Sequence, residues 1–148
     1  MIDVRPATPD DIPWLLAELK EFDKYYATKK KLFGDENYVR EQIEKIMREH
    51  VFIIAEDDSD RVGFIAGIRQ QHFYNPSITI LVQLLWWVIP SYRYSLAARM
   101  LMDEFVEYGK ENADWITFNM AAITPINPKS LIRKGFKESD KVYLMEVE

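Results

Sequence analysis

The residues able to do chemistry in this chain are few and unevenly placed. There is no cysteine, which excludes a thiol nucleophile, a cysteine zinc cluster, an iron–sulfur site and a disulfide framework. The two histidines, His50 and His72, read as the end of a helix and the tip of a hairpin, not as a paired acid and base. Asp57, Asp58 and Asp60 crowd one turn but lack the glycine and distal glutamate of a calcium loop. The glycines, Gly34, Gly63, Gly67, Gly109 and Gly135, are too scattered for a Walker or Rossmann phosphate loop. What remains is the junction at 88–98, Val-Ile-Pro-Ser-Tyr-Arg-Tyr-Ser-Leu-Ala-Ala, where an apolar strand meets a proline turn and the start of an amphipathic helix. Such a junction leaves backbone N–H groups unpaired at the positive end of a helix, and it therefore suits an anion.

Charge distribution points the same way. Residues 61–102 hold no Asp or Glu and carry Arg61, Arg69, Arg93 and Arg99; residues 115–137 are also acid-free and carry Lys129, Arg133, Lys134 and Lys137. Two locally positive segments in a chain of net charge −5 fit a confined anion site, although strand-rich core segments would look the same with no ligand. The net charge argues against a general nucleic-acid binder, which neutralises phosphates with a surplus of Lys and Arg. The polar start MIDVRPATPDD does not resemble a secretory signal. The longest apolar run, 80–90, is broken by Gln83 and falls short of the ~20 residues that span a bilayer. The expectation is a cytoplasmic protein with no membrane or nucleic-acid partner and no metal.

The elements that must position the junction follow from periodicity. With 148 residues, 48% of them hydrophobic, the chain is long enough for one domain with its own core, covering 1–148. A short strand at 2–5 precedes Thr8-Pro9-Asp10-Asp11, which predicts a helix capped by Thr8, with Pro9 in its first turn and two acids at its positive end. Ile12, Leu15, Leu16, Leu19 and Phe22 give that helix one apolar face. A solvated loop with Lys29, Lys30 and Lys31 leads to a second helix at 36–49, with Val39, Ile43, Ile46 and Met47 inward. Strands are expected at 51–56, 62–70 and 78–88, the last apolar on both faces and hence central. A helix at 95–112, a strand at 115–120, a short helix ending at Gly135 and a last strand at 141–146 complete the order β-α-α-β-β-β-α-β-α-β. This is a mixed α+β chain with a central mixed sheet and helices on both faces.

The junction also resembles the acyl-CoA-binding motif of the GNAT superfamily of N-acyltransferases, a Val-x-Pro strand end followed by Gln or Arg, two residues, Gly, one residue and Gly or Ala. Val88 and Pro90 match the strand end, Arg93 the Gln/Arg position and Ala98 the last small residue, while Leu96 stands where glycine is usual. The opening Ile-x-x-Arg-Pro-Ala-Thr-x-x-Asp, the helix pair, Val62-Gly63-Phe64, Asn127 and Gly135-Phe136 extend the resemblance over nearly the whole chain. It implies coenzyme A, brought as acetyl-CoA, in a cleft where the strand ending at Val88 splays from the strand at 115–120. Backbone N–H groups of Arg93, Tyr94, Ser95, Leu96, Ala97 and Ala98 would hold its pyrophosphate, with charge from Arg93 and Arg99. Trp87 and Val88 would pair with its pantetheine, and Asn127 would hydrogen-bond that arm. Lys129, Arg133 and Lys134 would reach the adenosine phosphate.

The activity so implied is transfer of an acetyl group to an amine of a small molecule or protein by direct attack, with a homodimer left open. Departures from the family pattern bear on catalysis. Leu84 and Leu85 stand where a base glutamate is common, and Leu131 stands at the position of the usual tyrosine acid. Gln83 could orient a water or the substrate amine; Tyr92, Tyr94 and Tyr143 are alternative phenols, and the catalytic residues stay unassigned. The acceptor would be met by the loop at 25–36, with Tyr25, Tyr26, Lys29 and Phe33. Leu96, Leu131 and the acid-free strand equally fit a GNAT-fold protein that has lost catalysis and serves as a binding or structural module, and a phosphate-ligand binder is a third reading.

Overall fold

A computed structural model describes residues 1–25, 28–121 and 124–147. In chain order the elements are β1 (Ile2–Pro6), α1 (Ile12–Asp23), α2 (Glu36–Glu49), β2 (Val51–Asp57), β3 (Asp60–Gln71), β4 (Thr79–Val88), α3 (Ala97–Asn112), β5 (Trp115–Thr117) and α4 (Lys129–Lys134). The five strands form one sheet in the order β1-β2-β3-β4-β5, antiparallel throughout except for the parallel pair β4–β5. Among the described residues no helix is long and apolar enough to cross a membrane.

Alternation along the inner strands divides the core into two layers. Phe52, Ile54, Phe64 and Trp87 face α1 and α2, where they meet Ile12, Leu15, Leu16, Leu19 and Ile43. Their chain neighbours Ile53, Ile65, Trp86 and Val88 face α3, against Leu101, Met102, Phe105 and Val106. The tandem Trp86-Trp87 thus supplies one large ring to each layer. Gly67 lets α3 lie close to the sheet: a Cβ there would come within 2.6 Å of the Val82 carbonyl oxygen and 2.7 Å of the Phe105 ring. Opposite Gly67 the β3–β4 register shifts, because Ala66 pairs with Leu85 and Gly67 with Gln83. Leu84 is therefore a bulge residue, and it is pushed outward.

The start of α1 and the C-terminal segment differ from the periodicity. Pro9–Asp11 form a 3₁₀ turn and α1 starts at Ile12, because Asp11 does more than face a helix end. Its carboxylate is fully buried and accepts from Arg5 Nη1 and Nη2 (both 2.8 Å), Arg61 Nε (2.6 Å) and the Thr8 N–H (2.7 Å). Burial alone would raise its pKa, but the hydrogen bonds from Arg5, Arg61 and Thr8 outweigh burial and hold it well below the usual carboxylate range. The second difference is the expected strand at 141–146, which does not form. With β5 only three residues long, the sheet edge offers too short a ladder, and Val142, Tyr143, Leu144 and Met145 stay exposed. Glu146 instead accepts the Lys29 N–H through both carboxylate oxygens (2.8 and 3.0 Å). Gly135 behaves as its position suggests, closing α4 at φ 110° in the left-handed region.

Removing the Asp11 charge takes from Arg5 and Arg61 the buried carboxylate they share and leaves Arg5 with Glu56 (3.2 Å). Asp11→Asn is expected to lower stability by about 3–5 kcal/mol at pH 7, measured by urea unfolding. Because the folded-state pKa is depressed, this stabilisation exists above the unfolded pKa and is lost as pH falls, so the gap from wild type should narrow below about pH 4.

Candidate functional site

The parallel ladder of β4 and β5 runs Ile80–Trp115, Leu81–Ile116, Val82–Thr117 and then stops. Its end is set by a side chain. Gln83, 4% exposed, turns its carboxamide across the gap, where Oε1 accepts the Asn119 N–H (3.0 Å) while Asn119 Nδ2 donates to the Gln83 carbonyl (3.3 Å). The Asn119 peptide is thereby claimed by a side chain instead of by β4 backbone, which is why the strand expected to reach residue 120 ends at Thr117. From Leu84 to Val88, β4 has no strand neighbour on that side.

Which of its backbone groups face the gap follows from the β3 register. Ile89 N–H donates to the Val62 carbonyl (2.9 Å), so antiparallel alternation directs the backbone of Trp87 toward Phe64 and that of Trp86 and Val88 away from β3. The Trp87 backbone, expected to pair with a ligand, is thus engaged by β3, while that of Val88 faces the gap as expected, together with that of Trp86. A cavity of about 80 Å³ opens beside this stretch, lined by Phe22, Gln83, Leu84, Trp86, Asn119 and Met120 among others.

Beyond Val88 the chain turns tightly into α3. The N–H groups of Tyr92, Arg93 and Ser95 donate to the carbonyls of Ile89 (2.9 Å), Pro90 (3.4 Å) and Tyr92 (3.0 Å). Ser95 Oγ donates to the Tyr92 carbonyl (2.6 Å) and accepts the Ala97 N–H (3.2 Å), which delays α3 from Ser95 to Ala97. The N–H groups of Tyr94, Leu96, Ala98 and Arg99 have no partner among the described residues. They are the orphan donors of a helix N-terminus. Ala97 and Ala98 anchor that end in the core, while the Tyr94 side chain stands clear in solvent.

Leu96 has φ −74° and ψ −7°, an ordinary right-handed conformation with no need for glycine. The residue is 66% exposed, so its side chain has not turned into the packing. The Arg93 side chain also departs from expectation. It folds back so that Nε donates to the Val88 carbonyl (3.1 Å) and its guanidinium stacks on the rings of Trp87 (4.7 Å) and Tyr25 (5.3 Å). Its Nη2 is buried without a partner among the described residues. Arg99, exposed on the first turn of α3, is the cation left beside the orphan donors.

The other expected residues are placed as follows. Asn127 accepts the Lys129 N–H at Oδ1 (2.9 Å) to start α4, which leaves its side-chain NH₂ exposed and without a partner among the described residues. Lys134 is paired with Asp103 (2.6 Å); Lys129 and Arg133 are exposed. Leu131 is buried in the α3 layer, so the position of the family's tyrosine acid is a packing position here. Tyr92 donates its hydroxyl to Asp57 Oδ2 (2.7 Å), which raises the Tyr92 pKa and removes that phenol from the gap. Tyr143 is exposed on the C-terminal segment. His50 Nδ1 accepts the Arg69 N–H and His72 Nδ1 the Tyr74 N–H (both 3.1 Å), so both imidazoles serve local structure. Tyr26 lies outside the described residues.

One carboxylate escaped the sequence reading. Glu18 lies on α1 beside the Trp87 indole, with its pKa raised because burial outweighs that indole's opposing pull. The indole N–H itself lacks a partner at sound hydrogen-bond geometry. A signal was present: Glu18 is three residues after Leu15 and four before Phe22, on the edge of the apolar stripe.

No protein-family model matches the chain, and no curated protein is detectably similar to it in sequence. Solved structures are similar in fold. A predicted acetyltransferase of Clostridium acetobutylicum, solved with acetyl-CoA, has a TM-score of 0.73 at 18% identity over 99% of this chain and 96% of its own. An aminoglycoside N-acetyltransferase, AAC(6')-Iy, in complex with coenzyme A has 0.71 at 16% identity, over 99% and 95%. A GNAT family acetyltransferase of Staphylococcus aureus has 0.66 at 15%, over 99% and 98%. The chain has the fold of the GNAT acetyltransferases.

Gln83→Leu would leave the Asn119 N–H without its acceptor. The expected result is a stability loss of about 1–3 kcal/mol and faster hydrogen exchange at the Asn119 amide, read by NMR, with little change at Ile116.

Proposed function

We propose that this chain, built on the GNAT fold, is an acetyl-CoA-dependent N-acetyltransferase acting on an amine of a small molecule or protein. The observation that carries this reading is the continuity of two unsatisfied features. The strand-free edge of β4, with the Trp86 backbone and the Val88 N–H turned to the gap and the Val88 carbonyl already held by Arg93, runs directly into the orphan N–H groups of Tyr94, Leu96, Ala98 and Arg99. An extended amide-bearing chain ending in a diphosphate meets both needs: amides pair with a strand edge, and a diphosphate with a helix N-terminus. Acetyl-CoA, when bound, supplies the activated acyl thioester.

The chain's own residues have separate tasks. Tyr94, Leu96, Ala98 and Arg99 would hold the diphosphate through backbone N–H groups, with the Arg99 charge adding to the helix dipole. Ser95 and Ala97 shape that turn through the bond between them. The free NH₂ of Asn127 is available to the pantetheine arm, and Lys129 and Arg133 to the adenosine phosphate. Arg93 and Trp87 stiffen the strand end instead of meeting the ligand. On the α1 side, the partly desolvated carboxylate of Glu18 suits an ammonium group or its departing proton. With no cysteine in the chain, direct attack by the amine is the simplest route.

Exposed Leu96 favours a second reading, a relative that keeps the fold and has lost the cofactor. Calorimetry with acetyl-CoA separates the two: micromolar binding is expected, and no heat at millimolar ligand would leave the binding-module reading. Leu96→Gly is expected to tighten acetyl-CoA by about 1 kcal/mol, roughly fivefold. Unchanged affinity would mean that the isobutyl group already clears the ligand.

A further inference from the structure

We infer that the side-chain NH₂ of Gln83 is the hydrogen-bond donor for the carbonyl oxygen of the acyl group, and hence the residue by which this protein distinguishes acyl-loaded coenzyme A from the free thiol. The inference rests on the acetyl-CoA reading above. Gln83 is 96% buried as the complement of its 4% exposure, yet only half of its carboxamide is satisfied. The partner of Oε1 is a backbone N–H, that of Asn119, which can only donate. That bond fixes which way round the amide sits, and Nε2 becomes the end presented to the cavity. Among the described residues Nε2 has no partner, and unlike the indole nitrogens of Trp86 and Trp87 it is not sealed in the core.

The cavity selects what can use this donor. Its other walls include Phe22, Leu84, Trp86 and Met120 as well as the polar Asn119 and Thr124, and its volume is about 80 Å³, room for one small planar group. A donor there needs an acceptor; it opposes an ammonium group and would waste the lone pair of a neutral amine. On this reading Gln83 meets the acyl carbonyl in place of the water or substrate amine that its position in the sequence suggests. The Thr124 hydroxyl also lines the cavity but already accepts the Ala121 N–H (2.8 Å), and its proton rotates; the Gln83 donor is fixed in direction. Position agrees as well. From Val88, beside the orphan N–H groups, back to Gln83 is four ladder steps, Gly63 to Gly67 on the opposite strand, or about 13 Å at ~3.3 Å per residue. A phosphopantetheine arm laid along that edge from a diphosphate at α3 would run toward Gln83.

The test compares two ligands on two variants by calorimetry. Gln83→Met keeps length and removes the donor. Gln83→Glu, at pH 8, keeps an acceptor for Asn119 and presents an oxygen where the donor was. In Gln83→Glu the dissociation constant for acetyl-CoA should rise roughly tenfold while that for coenzyme A changes less than twofold; in Gln83→Met, which also removes the Asn119 acceptor, the preference for acetyl-CoA over coenzyme A should fall roughly tenfold whatever the loss common to both ligands. Retained coenzyme A binding also shows that Gln83→Glu is folded, and that variant decides the assignment. Equal weakening of both ligands, or no change in either, would overturn the assignment and leave the acetyltransferase reading standing. If wild type binds neither ligand, both fall. Isotope-edited infrared spectra of bound [1-¹³C]acetyl-CoA add an independent readout: the carbonyl band should move to higher frequency in Gln83→Met, and an unmoved band counts against the donor.

Discussion

A strand pair separates where one of its members runs out of backbone partners, and here the separation is enforced by a carboxamide. Gln83 reaches across the end of the β4–β5 ladder and takes the Asn119 peptide on its side chain, so the two chains part by a side chain's length instead of a hydrogen bond's. The strand-free edge at Trp86 and Val88, the small cavity and the access of α1's Phe22 to it all depend on that parting. The bulge at Leu84 works with it, since an extra residue at that point lets β4 stay paired to β3 on one side while it bends away from β5 on the other.

A second constraint sets what stands over the gap. Asp11 ties β1, the start of α1 and β3 together through Arg5 and Arg61. A rigid helix pinned at its first turn places its last turns predictably. Glu18 and Phe22, and Tyr25 just beyond α1, accordingly lie over Trp87, whose ring meets Phe22 and Tyr25 edge-on. An ion network fifty residues apart in sequence therefore bears on the acceptor side of the sheet.

Much of this was legible in the chain. Helical spacing of Leu15, Leu16 and Leu19, the apolar run into Val88, the proline turn and Gly135 each carried local information, and local information locates elements. What escaped was decided between elements. Nothing near Gln83 says that Asn119 will complete it, and nothing near Asp11 says that Arg61 will. Arg93 read as a ligand for phosphate because its position in the motif is that of a ligand, but the rings of Trp87 and Tyr25 and the Val88 carbonyl offer it a nearer use. The segment at 141–146 has the composition of a strand and lacks an edge long enough to join. Strand propensity describes fitness for a sheet, and it cannot supply the neighbour.

Trp86 and Trp87 are successive residues, both almost wholly buried, and they face opposite layers. Trp86 lies edge-on to Phe118 and borders the cavity, while Trp87 lies under a guanidinium and beside a carboxylate. One peptide bond thus carries two optical reporters in different electrostatic surroundings. Their emission spectra need not coincide, and a change confined to one side of the sheet registers on one indole while its neighbour serves as the internal reference.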